Sequence, residues 1–438
     1  MKATPTLEDA DPRLSGASAK NALSETARGW PGQPEFVGLI AALMAINALS
    51  IDIVLPALGI IGDVYRHSTG NDIQLIVTAY IVTFGLGQLA LGPFVDRFGR
   101  RTLLLAALGL FSLSSFLAIM APSFSVLLAA RAAQGLGASA LRVLAVAVVR
   151  DRYHGRLMAR TMSTVMMVFM VVPLFAPALG QLLLFTGPWQ FLFVVMGTLG
   201  MAVAVWVALR LPESLPASSR RRVALPVLLE GYRMILTNRT AIGYMVASGF
   251  VFGILFSFIT ASNQIFLEVY QIGAWFPVAF GSVACGLAAS NYVNSRFVET
   301  VGMRALSHTA LVVLAGGTSL HALFAYMGLQ PLWLFMPLTA IPFIMLGFLG
   351  PNMTALALDP LGKVTGLATS LQGFITSGVA GFLGTLVAQA YNGTAQPFAY
   401  GTAVLSISAL LIVLWTERGR LMAFKLRANA PQESAATS

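Results

Sequence analysis

The chain has 438 residues, 57% of them hydrophobic and only 10% charged, with a mean hydropathy of +0.79. These values lie outside the range of a water-soluble globular domain and make lipid the solvent for most of the chain. A net charge of +10 would raise nucleic-acid binding in a soluble protein, but the lysines and arginines fall in polar gaps between apolar runs, which excludes a basic groove.

Residues 1–35 are polar and mixed in charge, lack the basic start and apolar core of a signal peptide, and read as a disordered cytoplasmic tail. Hydrophobic runs bounded by Pro, Gly and charge then predict spans at 36–58, 73–91, 102–121, 124–149, 158–184, 188–210, 240–265, 276–295, 305–326, 331–354, 364–390 and 397–416. Gaps after even-numbered spans hold Arg97, Arg100 and Arg101, then Arg150, Arg152 and Arg156, then the Arg220–Arg222 cluster, Arg296, Arg304 and Lys363. Gaps after odd-numbered spans hold only Arg66. The positive-inside rule therefore predicts a multi-pass inner-membrane protein with both termini cytoplasmic.

The longest internal gap carries Pro212, Pro216, Pro226 and the arginine cluster, so it reads as a linker between two halves. The expected organisation is an all-α integral membrane protein: a bundle at 36–210, a linker at 211–239, a second bundle at 240–416 and a tail at 417–438. A repeat supports the division. Phe94-Val95-Asp96-Arg97-Phe98-Gly99-Arg100-Arg101 follows span two, and Phe297-Val298-Glu299-Thr300-Val301-Gly302-Met303-Arg304 follows span eight, its counterpart.

Charges inside spans are the sharpest functional signal, because an ionised residue at mid-membrane costs about 2.5–3.5 kcal/mol on insertion scales. Asp52 in span one and Arg131 in span four lie at matching depths from the same membrane face, so they could meet across the first half. Burial favours the protonated form of a carboxylate and a neighbouring arginine favours the ionised form, which makes Asp52 the candidate proton carrier. A static Asp52–Arg131 pair that only fixes packing is the alternative. Arg142, eleven residues beyond Arg131 on the same helix face, either lines the cavity or snorkels to the cytoplasmic surface. Asn263, Gln264, Phe258 and Gln372 are the polar and aromatic candidates for cavity lining in the second half.

The segment Gly92-Pro93-Phe94-Val95-Asp96-Arg97-Phe98-Gly99-Arg100-Arg101 matches G-x-x-x-D-R-x-G-R-R, the signature that proteins of the major facilitator superfamily carry between spans two and three. Asp52-Ile53-Val54-Leu55-Pro56-Ala57-Leu58, Arg131-Ala132-Ala133-Gln134-Gly135, Pro173-Leu174-Phe175-Ala176-Pro177-Ala178-Leu179-Gly180 and Pro351-Asn352-Met353-Thr354-Ala355-Leu356-Ala357-Leu358 extend the likeness. Together they resemble the twelve-span drug:proton antiporters, and among them the bicyclomycin/chloramphenicol resistance (Bcr/CflA) group. That resemblance implies the major facilitator fold and export of small amphipathic molecules by alternating access. It also implies a latch at Gly92, Asp96, Arg97, Gly99, Arg100 and Arg101, with Arg150 and Asp151 offered as its partner. A gating hinge at Pro173, Pro177 and Gly180, and proton coupling through Arg131, complete what the resemblance implies; Gln134, on the same helix as Arg131, is a further candidate for the substrate cavity. In span five, Val172, Ala176 and Gln181 stand where the antiporter pattern has glycine.

Some relatives place a second acid in span one to sense cationic drugs. This chain has Met44 two turns before Asp52, which with two intramembrane arginines suits neutral, zwitterionic or weakly acidic molecules of the phenicol, sulfonamide or bicyclomycin type. The single Cys285 and four scattered histidines offer neither a disulfide nor a metal site. With no G-x-x-x-x-G-K-[S/T] loop and no catalytic constellation, the chain is expected to be no enzyme and to need no cofactor. Its expected partners are a small-molecule substrate, protons and the lipid bilayer, and the expected state is a monomer. Uptake or efflux of a metabolite by the same fold is the alternative reading.

Overall fold

Apolar segments can satisfy their backbone in lipid only by forming helices or closed barrels, and this chain takes the helical solution. The computed structural model describes residues 30–65, 71–153, 155–215 and 225–421, and within them no strand occurs. Eleven helices among the described residues are long and apolar enough to cross a membrane. A twelfth, Gly155–Thr186, runs unbroken for 32 residues with Pro173 and Pro177 inside it.

In chain order the first six spans are Gln33–Asp52, Leu75–Phe98, Arg100–Ile119, Phe124–Arg152, Gly155–Thr186 and Gln190–Arg210. The second six are Arg239–Asn263, Phe276–Val301, Met303–Tyr326, Leu332–Leu358, Thr365–Gln389 and Gln396–Thr416. A separate linker helix, Leu225–Thr237, precedes span seven. Ser123 and Asn238 cap spans four and seven by accepting from the Val126 and Ala241 backbone N–H groups.

Span one departs from the expected continuous 36–58. Its α-helix stops at Asp52, Leu55–Ala57 forms a 3₁₀ turn, and a short helix Leu58–Val64 resumes the path. Pro56 has no N–H to donate back along the helix, so the ladder breaks where an interior proline must break it. The two copies of the repeat close with one geometry: Gly99 has φ 89° and ψ 151°, and Gly302 has φ 90° and ψ 148°. Only glycine adopts that backbone without strain, and each turn ends one helix and begins the next.

Helix neighbours follow the division into halves. Span four packs on spans two and three, and span three on span six; span seven packs on spans eleven and twelve, and span nine on spans ten and twelve. The halves meet where span two lies along span eleven and span five along span eight. Both described chain ends lie on one face, the terminal face, where Arg152 bonds the Pro31 carbonyl and Arg304 pairs with Glu417. The opposite, distal face carries the Tyr65–Ala121 and Gln396–Ala325 hydrogen bonds.

Candidate functional site

Arg131 is fully buried, and the first half is built around its guanidinium. Nε donates to the Ile76 carbonyl at 3.1 Å, one terminal nitrogen to Gln134 Oε1 at 2.5 Å and the other to the Ser50 carbonyl at 3.1 Å. The planar cation lies 4.6 Å from the centre of the Tyr80 ring, a cation–π contact. Tyr80 in turn donates to Asn47 Oδ1 at 3.1 Å, and the Gln134 amide donates to Ser115 Oγ at 2.7 Å. One cation thus ties together spans one, two, three and four.

Asp52 is 3% exposed and makes neither a hydrogen bond nor an ion pair among the described residues; its Oδ1 is buried without a partner. The expected Asp52–Arg131 pair is therefore not formed here. The physical reason is competition, since two carbonyls, an amide oxygen and an aromatic face already surround the guanidinium. An unpaired carboxylate is among the costliest groups to bury, which ties its protonation to whatever surrounds it. Arg142 is half-buried and likewise makes no hydrogen bond or ion pair among the described residues.

The boundary between the halves is the feature that sequence reasoning missed. Asn71, Gln74, Thr78, Ile81, Gly85 and Gln88 recur at alternating spacings of three and four, and all face the second half. The Asn71 amide donates to the Gln389 carbonyl at 2.8 Å, Gln74 bonds Gln264, Thr78 shares a 2.8 Å hydrogen bond with Thr385, and Gln88 donates to Ser377 Oγ at 3.3 Å. On span eleven the partners Gly373, Ser377, Gly381, Thr385 and Gln389 recur every fourth residue, the small-residue spacing that lets membrane helices approach closely. A Cβ at Gly85 would overlap the Gly378 backbone, so the contact is backbone on backbone. Two π-helical segments, Gln264–Val269 and Ile375–Val379, supply Gln264 and Ser377 to this seam; such turns often mark functional sites. The Asn263 amide, donating to the Leu55 carbonyl at 2.7 Å, fastens span seven to the break in span one. Asn263 and Gln264, candidates for cavity lining, thus stand at the distal seam. Just outside it, burial and the Glu268 carboxylate raise the Tyr391 phenol above its ordinary pKa, and the phenol donates to Glu268 at 3.0 Å.

In the second half, the Gln372 amide donates to Ser248 Oγ at 2.8 Å, and its Oε1 is buried without a partner. Phe258, the aromatic candidate for cavity lining, lies inside the helix packing of the second half in this arrangement. It is 1% exposed and packs against Phe280 and Phe343 at centroid distances of 5.2 and 4.9 Å. It stacks on Phe280 and meets Phe343 edge-on, within an aromatic cluster of the second half.

On the terminal face, Arg100 Nε meets Asp151 Oδ2 at 3.2 Å, which joins the loop after span two to the end of span four. Glu213 and Ser214, which sequence reasoning did not single out, complete the arrangement: the Arg100 backbone N–H donates to Glu213 at 2.7 Å and Ser214 donates to Asp151 at 2.8 Å. Arg101 donates to the Ala208 carbonyl, and Arg150 is exposed. The surroundings of Gly92 and the side chains of Asp96 and Arg97 lie outside what is described. In span five, a Cβ at Gly180 would overlap the Ile53 carbonyl, so the proline-bearing helix seats against the unwound end of span one.

A family model described as Major Facilitator Superfamily matches residues 40–385. The Bicyclomycin resistance protein homolog of Haemophilus influenzae is 28% identical, the match covering 87% of this chain and 96% of that protein. Multidrug resistance protein D of Escherichia coli is 26% identical over 86% of this chain and 94% of its own length. The crystal structure of the human organic anion transporter MFSD10 is similar in fold, with a TM-score of 0.63 at 17% identity, covering 88% of this chain and all of that one.

Proposed function

The chain belongs to the major facilitator superfamily, and from that premise we propose that it is a proton-coupled antiporter exporting small amphipathic, drug-like molecules. Relatives along nearly their whole length are named for bicyclomycin and multidrug resistance, which supports export as the direction. The observation that carries proton coupling is Asp52, buried with an unpartnered oxygen close in sequence to the Ser50 carbonyl that Arg131 holds. An acid so placed can change its protonation as the halves rearrange, because each arrangement offers it a different set of neighbours.

The terminal face is cytoplasmic in this reading, since the arginine-rich gaps all open there, and the membrane is the bacterial inner membrane. The closed distal seam then corresponds to a state whose periplasmic mouth is shut. Alternating access would part that seam and tighten the terminal contacts of Arg100, Asp151 and Glu213. Pro173, Pro177 and Gly180 would act as the hinge against span one, and Arg142 and Gln372 offer free polar groups to the substrate. No cofactor enters the cycle, and one chain suffices for it.

Inside-out vesicles with an acidified lumen test the reading directly. A phenicol, sulfonamide or bicyclomycin added outside should collapse the pH gradient when the protein is present and not when Asp52→Asn replaces it. An uptake symporter of the same fold would leave the gradient intact, and a growth-inhibition panel with and without expression identifies which compound class is carried.

A further inference from the structure

The linker helix Leu225–Thr237 has more apolar surface than its packing covers. At about 100° per residue, Leu228, Gly231, Tyr232 and Ile235 share one face. That face is occupied: Ile235 is fully buried, and a Cβ on Gly231 would press into Leu367 at the start of span eleven. Glu230, Arg233 and Thr237 are exposed on the opposite side. Between the two lie apolar flanks, Leu229 with Leu236 and Val227 with Met234, exposed at 60, 56, 64 and 43%.

Neighbouring residues fix the level of this helix. It ends one residue before Asn238, the cap of span seven, and Arg239 stacks 4.5 Å from the centre of the Trp415 ring while donating to the Trp415 carbonyl. Trp415 is itself 57% exposed, and tryptophan beside arginine at span ends marks the boundary between hydrocarbon and water. The helix therefore enters the bundle at headgroup height. Its exposed cation is Arg233, its last turn leads into Arg239, and Arg220-Arg221-Arg222 precede it in the chain, a charge balance that favours anionic lipid.

We propose that Leu225–Thr237 is an interfacial helix whose apolar flanks rest in the lipid headgroup layer of the leaflet at the terminal face, with anionic phospholipid as the partner of Arg233. Because its covered face sits on Val364 and Leu367, lipid that grips the helix also bears on span eleven, one wall of the seam between the halves. The inference goes beyond the transport reading and stands whatever the cargo is.

Cys285 is the only cysteine, so a Cys285→Ser background allows single spin labels to be placed at will in the full-length protein. Labels at Val227→Cys, Leu229→Cys, Met234→Cys and Leu236→Cys, and at Glu230→Cys and Arg233→Cys as the polar set, are compared in phosphatidylcholine vesicles with and without phosphatidylglycerol. The expected result is an oxygen-over-nickel-chelate accessibility ratio several-fold higher at the four apolar positions, rising when phosphatidylglycerol is added and rising less in the Arg233→Gln variant. Equal ratios at all six positions would place the helix in water and overturn the proposal. Apolar positions shielded from both reagents would mean that protein, such as a second copy of the chain, covers the flanks, which overturns it as well. A ratio indifferent to phosphatidylglycerol would overturn the part assigned to anionic lipid.

Discussion

At the scale of single residues, the structure sets Arg131 and Asp52 apart where the sequence suggested a pair, and the proposed function gives them different work. Arg131, in span four, holds spans one and two through its acceptors and the Tyr80 ring, and span three by way of Gln134. Arg131→Ala strands those acceptors, and a buried acceptor left unmade costs about 1–3 kcal/mol, so the variant should melt at a clearly lower temperature in detergent. Arg131→Lys should fall between, since an ammonium cannot reproduce the flat fork that spans them. Asp52→Asn removes a titratable group with no partner to lose, so it should keep wild-type thermal stability and substrate binding while losing substrate-driven proton release. Equal melting of Arg131→Ala and wild type, or proton release retained in Asp52→Asn, would show that the roles are misassigned. Both residues were legible in the sequence because a charge inside an apolar run is conspicuous. Their failure to pair was not, because depth along two helices says nothing of which carbonyls compete for a guanidinium.

At the scale of elements, the seam between spans two and eleven is a ladder of uncharged hydrogen bonds over glycine contacts. Gln74→Ala and Gln264→Ala should each destabilise the closed arrangement, and a double-mutant cycle in thermal melts should give a coupling of about 0.5–1.5 kcal/mol, the net worth of one such bond. Purely additive losses would mean that the two amides do not interact. Gly85→Leu should wedge the seam apart, because the added side chain meets the Gly378 backbone rather than a flexible side chain. A membrane-impermeant maleimide should then label Thr78→Cys faster than in the parent, and unchanged labelling would sink that account. Spans were readable because each must carry about twenty apolar residues. The stripe Asn71-Gln74-Thr78-Ile81-Gly85-Gln88 was also present in the sequence at coiled-coil spacing, but it became meaningful only once a second stripe, four residues apart from Gly373 to Gln389, was found opposite it. The break in span one announced itself through Pro56, yet its use as a seat for Gly180 and an anchor for Asn263 depends on helices far away in the chain.

At the scale of the whole molecule, two six-helix units share one backbone geometry in the turn after their second helix, at Gly99 and at Gly302, and meet along two helix pairs. If transport needs the distal seam to part, then a disulfide between Asn71→Cys and Gln389→Cys, made in the Cys285→Ser background, should abolish it, and a reductant should restore it. Full transport with the bridge formed would show that the seam is static. The halves were legible as a repeat and a linker; how they press together was not, because contacts between chain segments hundreds of residues apart leave no local trace.

The distal contacts from Asn71, Gln74 and Thr78 consist of amides, hydroxyls and carbonyls, whereas Arg100–Asp151 and Arg304–Glu417 on the terminal face are ion pairs. Dissolved ions screen the second kind within a Debye length of about 8–10 Å and leave the first kind untouched. With the terminal face taken as cytoplasmic, as proposed above, the two mouths answer differently to their surroundings: the mouth toward the external medium, whose salinity can swing widely, is sealed by bonds indifferent to ionic strength. On the same reading, the charge-dependent contacts sit on the side bathed by the regulated interior.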